Sequence, residues 1–487
     1  MSRSSYRFAL IGFVLVLAVS LGVGCGGGPK KPVKKPIILR TQYDDKQAGQ
    51  DAAKQVSAAM GFYGDPALSA YVSQLGAKLV RYAPLTSFKY SFLIVDQPEP
   101  NAFALPGGHI YVSRGLLALT NSEDELANVI GHEITHSAAR HAAAQQEIAS
   151  RTSPLAMPYV RMAKVAAYGR EQERDADQGG QFLANAAGYN PMGMSTFLRK
   201  LGNVERQKIG YSRLQGYFDT HPGSSERAAT AANRAHGAQT GPNATFGAPQ
   251  ATYLRRLDGL VLGTNPAEGV FLGSVFVQPD LGFHMRFPTG WRMVNSHQAV
   301  GASSPRGDAM IFLMVEGKGT EAKQGAQTFT EKHGEEYGLE VAREGPVKVG
   351  EIDSWRIEGT GWMQGQKVAA LLTFVPFRGL IYRITAISPP GSADKFVGRS
   401  RAATRSFGPI TKQEMDSMEI LTLRVVSAEA GESLRALGKR TRNAYGEQDT
   451  AILNGIFTDK RFREGDLVKI ARAKPYRPSG RTTPSGG

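Results

Sequence analysis

The hydrophobic positions in the first half of the chain recur mainly at three- and four-residue steps, the spacing of one face of an α-helix. This spacing predicts helix over about 45–83 and again over about 161–187. A further long helix is predicted from Glu123, because Ser122 and Glu125 form the residue pair of a capping box.

Strand-like runs interrupt this helical pattern. Residues 88–96 predict a strand, and 101–113 predict two extended runs around a Pro-Gly-Gly turn. Residues 270–412 contain several strand-like runs and one helical segment, and 423–471 predict the order strand, helix, helix, strand. We therefore expect an α+β protein, in which a mainly helical domain with a small sheet precedes an α+β domain and a small βααβ module.

The composition is that of a globular protein, with 41% hydrophobic and 21% charged residues. The net charge of +15 is spread along the chain, without an aromatic-rich basic motif or a helix-turn-helix pattern. We therefore expect no nucleic-acid partner, and the charge fits contact with anionic membranes or envelope polymers.

The N-terminus has the order of an export signal. Arg3 and Arg7 precede an apolar run over 8–23, which is somewhat short for a membrane span. Cys25, the single cysteine, follows "LGVG", and small residues before such a cysteine are typical of a bacterial lipoprotein cleavage site. We expect a lipid anchor at Cys25 on the periplasmic side of the envelope, at the outer membrane. An uncleaved signal anchor and cleavage elsewhere are the alternatives.

The stretch "VIGHEITHSAARH" (129–141) carries the main candidate chemistry. His132 and His136 are four residues apart and share a helix face, so their imidazoles can bind one metal ion. Glu133 lies one step round the helix, where it can act as general base on a metal-activated water; H-E-x-x-H is a zinc-protease signature. His141 is about 180° from His132 if the helix continues, so we expect it not to share the ion. A polar helix face without metal is the alternative.

A catalytic zinc site needs a third protein ligand. The segment 169–180 offers Glu171 with Asp175, or Glu173 with Asp177. The Glu173 side carries small residues that let another helix approach, so Glu173 is predicted as the third ligand. Asp177 is predicted to accept a hydrogen bond from a ligand histidine and fix its tautomer. Glu171 and Asp175 are predicted to be surface charges.

Four segments occur together in the order and spacing of one protease family. They are "NAFALPGGHIYVSRGLL", "ELANVIGHEITHSAARH", "EQERDADQGG" and "DTHPGSSERAA", within about 42–235. The chain resembles the CAAX-prenyl-protease-type and HtpX-like zinc metallopeptidases, in the soluble bacterial branch related to BepA. The resemblance implies one Zn²⁺ per chain and an endopeptidase that cleaves unfolded or misassembled envelope polypeptides. The internal transmembrane helices and the tetratricopeptide tail of some relatives are missing here.

The resemblance also implies roles for residues outside the zinc signature. His221, in "THP", matches a family histidine near the metal, which either occupies the open coordination position or donates to the oxyanion; a loop-capping residue is the alternative. Arg227 is expected to brace this region. Asn101, Ala102 and Phe103 are expected to form a strand that pairs with extended substrate, or else part of a core hairpin.

The C-terminal βααβ region resembles a LysM module through "AGESLRAL", "ILNGI" and "REGDLVKI". The resemblance implies binding of peptidoglycan; a module that only packs against the rest of the chain is the alternative. A non-catalytic peptidoglycan-binding lipoprotein, or an envelope assembly chaperone that uses the protease fold as a scaffold, is the competing function.

These patterns divide the chain into predicted segments. They are 1–25, a lipoprotein-type signal peptide; 26–41, a flexible basic linker; 42–236, a zinc metalloprotease domain; 237–269, a second linker; 270–412, an α+β domain of unknown role; 420–474, the LysM-like module; and 475–487, a disordered tail.

Overall fold

The computed structural model of the chain describes residues 41–84, 88–144, 158–207, 221, 224–238, 247–363 and 365–478. The predicted signal peptide, Cys25 and nearly all of the basic linker lie outside these residues. The chain divides into two compact units. We call residues 37–264 with 420–474 the N-terminal unit, and residues 265–419 with the chain from 475 the central unit.

The fold is mixed α and β, in agreement with the predicted α+β class. The helices are α1 (Gln42–Met60), α2 (Pro66–Val80), α3 (Arg114–Leu119), α4 (Glu123–Ala138), α5 (Pro158–Ala186), α6 (Met192–Gln207), α7 (Ser224–Gly237), α8 (Gln250–Arg256), α9 (Ala322–His333), α10 (Ala393–Arg405), α11 (Lys412–Asp416), α12 (Leu434–Thr441) and α13 (Glu447–Asn454). The strands are β1 (Ser91–Val95), β2 (Ala102–Leu105), β3 (His109–Ser113), β4 (Val261–Leu262), β5 (Val270–Leu272), β6 (Val275–Gln278), β7 (Phe283–Arg286), β8 (Arg292–Asn295), β9 (Ala299–Ser303), β10 (Met310–Lys318), β11 (Glu340–Val349), β12 (Ile352–Met363), β13 (Gln366–Phe377), β14 (Leu380–Ser388), β15 (Gly408–Pro409), β16 (Glu419–Ser427) and β17 (Leu467–Pro475).

The first helical stretch, predicted over about 45–83, consists of two helices, α1 and α2. Gly61 has a φ of 65°, a left-handed value that ends α1, and the Asp65 side chain accepts a hydrogen bond from the Leu68 amide to begin α2. The start of α4 agrees with the prediction, since the Ser122 hydroxyl accepts from the Glu125 amide at 3.2 Å. Local capping residues therefore fix where the helices around the site begin.

The helix that carries the zinc signature is anchored by its apolar side. Leu126, Ile130 and Ile134 recur every four residues and are fully buried in the core of the N-terminal unit. This ridge agrees with the predicted inward face of α4 and leaves the adjoining face for polar residues. The small sheet beside it has the order β1-β3-β2, with β1 parallel and β2 antiparallel to β3.

The C-terminal module has the predicted order β16, α12, α13, β17, and it packs into the core of the N-terminal unit. Leu423, Leu453 and Ala471 join the same hydrophobic cluster as the α4 ridge. Lys469 is fully buried, and its ammonium nitrogen donates to the carbonyls of Ala118 and Thr120. Burial lowers the pKa of Lys469 well below its ordinary value, with a further contribution from a neighbouring lysine.

Two segments have more structure than expected. Within the predicted second linker, α8 buries Tyr253 and Leu254, and β4 pairs with β16. At the start of the predicted disordered tail, β17 runs to Pro475, and Tyr476 donates its hydroxyl to Asp280 at 2.7 Å. Apolar side chains in the first segment and one tyrosine in the second supply the contacts that the local turn-rich composition does not indicate.

The central unit contains two sheets and the helices α9 to α11. Its sheets have the orders β11-β12-β13-β14-β10-β9-β8 and β15-β7-β6-β5. Phe329 of α9 packs with Ile357, Leu372 and Phe374 of the larger sheet. Among the described residues, no helix is both long enough and apolar enough to span a membrane.

Candidate metal centre

Helices α4 and α5 cross at a point where neither has a side chain. A Cβ on Gly180 would lie 2.6 Å from the His132 amide nitrogen, and one on Gly131 would lie 2.8 Å from the Gly180 carbonyl oxygen. Only glycine at both positions allows this approach. The expectation that the small-residue face of α5 meets another helix is therefore confirmed, and the acidic residues of α5 reach the histidines of α4.

The burial of α5 distinguishes the two acidic registers. Glu173 and Asp177 are buried, 4% and 1% exposed, whereas Glu171 and Asp175 are exposed. Glu173 Oε1 lies 3.3 Å from His136 Nε2, and Glu173 Oε2 lies 3.6 Å from His132 Nε2. The structure thus brings Glu173, rather than Glu171, to the histidines of the signature.

His221 joins this group from a distant part of the sequence. Its Nδ1 lies 3.2 Å from His132 Nε2 and 2.9 Å from both carboxylate oxygens of Glu173. The Nε2 atoms of His132 and His136 are 3.0 Å apart. One donor atom from each of these four residues lies within 4.8 Å of the others. We call His132, His136, Glu173 and His221 the donor cluster.

The donor cluster fits a zinc ion. Imidazole nitrogen and carboxylate oxygen are zinc ligands, and nitrogen ligands at about 2.0–2.1 Å in a tetrahedral site lie about 3.3 Å apart. Distances of 3.0 and 3.2 Å between the ring nitrogens are close to this spacing. Burial lowers the pKa of His132 to about 3, so its ring is neutral and can present a lone pair. The four residues of the donor cluster are therefore able to bind a metal ion.

Glu133 lies beside the donor cluster without being part of it. It is fully buried, and its Oε1 lies 3.5 Å from His221 Nε2. Burial raises the pKa of Glu133 to about 8, although His136 and the neighbouring Ala104 amide lower it. By contrast, burial would raise the pKa of Glu173, but the neighbouring histidines hold it well below its usual range.

Asp177 orients the first histidine of the signature. His132 Nδ1 lies 3.0 Å from Asp177 Oδ1, and a carboxylate only accepts, so this nitrogen donates and Nε2 faces the donor cluster with its lone pair. Arg227 donates to both oxygens of Asp177 at 2.7 and 2.8 Å, and its Nη1 lies 2.7 Å from Glu173 Oε2. Burial would raise the pKa of Asp177, but the hydrogen bonds from Arg227 and His132 hold it at about 2.

The position of His141 differs from the expectation. Helix α4 ends at Ala138, and Arg140 has a φ of 54°. The chain therefore leaves the helical path, and His141 Nδ1 lies 2.8 Å from His136 Nδ1. Asp175 is also more than a surface charge, because its Oδ2 lies 3.2 Å from His141 Nε2. Sequence reasoning missed both contacts because it extended α4 as far as position 141.

The predicted substrate strand forms one edge of its sheet. Ala102 and Phe103 belong to β2, which pairs with β3 on one side, and Asn101 directly precedes it. Asn101 and Ala102 are buried, 3% and 0% exposed, while Phe103 is partly exposed and stacks on Tyr111. Both the edge position and the core contacts that were expected as alternatives are therefore present in one strand.

Comparison with known proteins identifies the part of the chain that contains this site. Residues 66–235 match the model of Peptidase family M48. Over 216 residues, 39% of this chain and 44% of the relative, the chain is 30% identical to the beta-barrel assembly-enhancing protease of Escherichia coli (strain K12). It is 28% identical over 221 residues to the mitochondrial metalloendopeptidase OMA1 of Schizosaccharomyces pombe, covering 39% of this chain and 63% of that protein.

The similarity is therefore confined to part of each protein, and the chain spans less than half the length of the first relative. Among solved structures, cyanobacterial PsbP from Synechocystis sp. PCC 6803 has a TM-score of 0.24 and 14% identity, covering 31% of this chain and 99% of that chain. The family model covers every residue of the donor cluster together with Glu133. This part of the chain is therefore similar to the metalloproteases of Peptidase family M48.

Proposed function

We propose that the chain is a zinc-dependent endopeptidase of the bacterial cell envelope, in which His132, His136 and Glu173 bind one Zn²⁺. The observation that carries this proposal is the meeting of these donors with a buried Glu133, which contributes no donor to the cluster. When bound there, zinc polarises the carbonyl of the scissile peptide and lowers the pKa of water toward about 7.

The protein residues have separate tasks in the proposed reaction. Glu133 accepts a proton from the attacking water and passes it to the nitrogen of the leaving amine as the C–N bond breaks. Asp177 holds the His132 ring in the tautomer that directs Nε2 inward. Arg227 forms ion pairs with both buried carboxylates of α5, which reduces their repulsion across one turn of the helix.

His221 has the proposed role of a displaceable group. Its Nδ1 lies in the donor cluster, where a fourth protein ligand would block the open position that catalysis needs. Substrate binding is then expected to move the ring, so that His221 stabilises the oxyanion of the tetrahedral intermediate. Both roles depend on one side chain that contacts Glu133 on one side and Glu173 on the other.

We propose unfolded or misassembled envelope polypeptides as the substrates. The edge strand β2 packs against α4, the helix that carries Glu133. An extended peptide paired with such an edge is held through its backbone, which favours unfolded chains over a particular side-chain sequence. The name of the Escherichia coli relative, which refers to beta-barrel assembly, supports an envelope substrate.

The central test measures metal content and proteolysis together. Wild-type protein is expected to contain about one zinc per chain and to cleave casein until zinc is chelated. Glu133→Gln should retain zinc and lose cleavage, because an amide cannot accept the proton. His221→Ala should retain zinc and lose about 10²–10³-fold in kcat, as expected when an oxyanion donor is removed.

The results also distinguish the competing function. Zinc-loaded wild-type protein that cleaves neither casein nor a short fluorogenic peptide would favour a non-catalytic scaffold or chaperone. Retained cleavage in Glu133→Gln would exclude Glu133 as the base. Loss of zinc in His221→Ala would make His221 a structural ligand instead.

We further propose attachment to the outer membrane through lipid on Cys25, and contact with peptidoglycan through the C-terminal module. The export signal and the small residues before Cys25 support the first, and the βααβ element order supports the second. Cys25→Ser is expected to release the protein from the membrane fraction or leave it unprocessed, and normal fractionation would contradict lipidation. A pull-down of the purified protein with insoluble peptidoglycan tests whether the module binds this polymer. If the module only packs against the helices, the protein would remain in the supernatant.

A further inference from the structure

A series of contacting side chains leads from His136, the second histidine of the signature, to the protein surface. His136 Nε2 faces the donor cluster, and its other nitrogen, Nδ1, lies 2.8 Å from His141 Nδ1. On the far side of His141, Nε2 lies 3.2 Å from Asp175 Oδ2. The side chain of His141 is 10% exposed and that of Asp175 is 61% exposed. A buried histidine therefore stands between a donor-cluster histidine and a solvated carboxylate.

Only one placement of the ring hydrogens allows both hydrogen bonds to form when His136 presents its Nε2 lone pair to a cation. The hydrogen of a neutral His136 ring is then on Nδ1, so His141 Nδ1 must accept it. The hydrogen of a neutral His141 is consequently on Nε2, where it is donated to Asp175 Oδ2. In both contacts, therefore, a hydrogen-bond donor faces an acceptor.

The backbone around His141 is held independently of these side chains. Arg140, in the left-handed region, donates to both carboxylate oxygens of Asp45, which is 3% exposed. Gln172 of α5 donates its side-chain amide to the His141 carbonyl at 2.9 Å. Contacts from α1 and α5 thus fix the position from which the His141 ring reaches His136.

We propose that His141 is a positioning residue that fixes the tautomer and orientation of His136, with Asp175 fixing His141 in turn. The proposal rests on the zinc site proposed above, and it assigns to His136 the kind of support that Asp177 gives to His132. It needs no contact between His141 and either metal or substrate.

The experiment compares zinc affinity by competition with a chromophoric chelator, using the full chain. His141→Ala is expected to lower the affinity about 10–100-fold, the usual range for partners of ligand histidines. His141→Gln should recover most of this loss, because the amide oxygen can accept from His136 Nδ1. Asp175→Ala should lower the affinity by less than His141→Ala. Glu171→Ala is the matched control, an exposed carboxylate one turn away on the same helix, and should have no effect.

A cobalt-substituted sample supplies a second signal, because the d–d absorption reports ligand geometry. The spectrum is expected to change in His141→Ala and to return toward wild type in His141→Gln. Unchanged affinity and spectrum in His141→Ala would overturn the proposal. Equal loss in the alanine and glutamine variants would also overturn it, because it would indicate a packing role. Wild-type protein without zinc would instead contradict the proposed function on which the inference rests.

Discussion

The two histidines of α4 meet in one donor cluster, but their outer nitrogens have different surroundings. His132 donates directly to Asp177, which is 1% exposed and bound by the buried Arg227. His136 instead contacts a second histidine, and the carboxylate at the end of that chain is in solvent. We call His132 with Asp177 and Arg227 the inner arm of the site. We call His136 with His141 and Asp175 the outer arm.

The difference shows two ways to give a histidine a carboxylate partner. A buried carboxylate must be compensated, because its desolvation costs several kcal/mol, and the inner arm uses an arginine for this purpose. The outer arm places a neutral imidazole in the buried position, so Asp175 remains hydrated. A hydrated carboxylate needs no buried arginine to compensate its charge. The inner arm is therefore expected to be more sensitive to substitution.

The largest effect is expected where the arms meet. Glu173→Ala removes a proposed ligand and should lower zinc affinity by more than the about 10–100-fold that follows loss of an outer partner. Glu171→Ala, on the exposed side of the same helix, should leave zinc content unchanged in elemental analysis. Similar losses of bound zinc in both variants would mean that Glu173 is not the ligand that the two arms share.

The second prediction concerns the inner arm without metal. Arg227→Met leaves Glu173 and Asp177 buried without a cation, and should lower the free energy of unfolding by about 3–5 kcal/mol. Urea unfolding of chelator-treated protein measures this value. The control is Arg174→Met, since Arg174 pairs with Glu226 at the surface, and its effect should stay within about 1 kcal/mol. Equal destabilisation by the two changes would contradict the distinction between buried and exposed charge.

The smallest effects are expected when the aspartate of each arm is replaced by the isosteric asparagine. Both oxygens of Asp177 accept hydrogen bonds, so Asp177→Asn must turn an amide group toward Arg227 or His132 and should lower zinc affinity about 10–100-fold. Asp175→Asn can keep an oxygen toward His141 and should change the affinity less than about threefold. The same chelator competition measures both, and a larger loss in the Asp175 variant would reverse the comparison.

The donor cluster could be predicted only in part before the structure. Helix geometry alone indicates that His132 and His136 share a face, because residues four apart are separated by only about 40° around the axis. The choice of Glu173 over Glu171 used the small residues on one side of α5, and the contact of Gly131 with Gly180 has this physical basis. His221 was indicated by family resemblance alone, since 89 residues separate it from His132.

Periodicity and capping residues in the sequence by themselves determined the helical character of α1, α2 and α5, the start of α4, the β2–β3 hairpin, the order of the C-terminal module and the histidine face of α4. Tertiary structure decided how the module packs, because the burial of Lys469 depends on carbonyls that are about 350 residues away in the chain. It also decided the outer arm. A single left-handed residue, Arg140, ends the helical path, and its conformation is held by Asp45 on another helix. Local sequence rules do not contain such a contact, because its energy arises only when α1 and the end of α4 have come together.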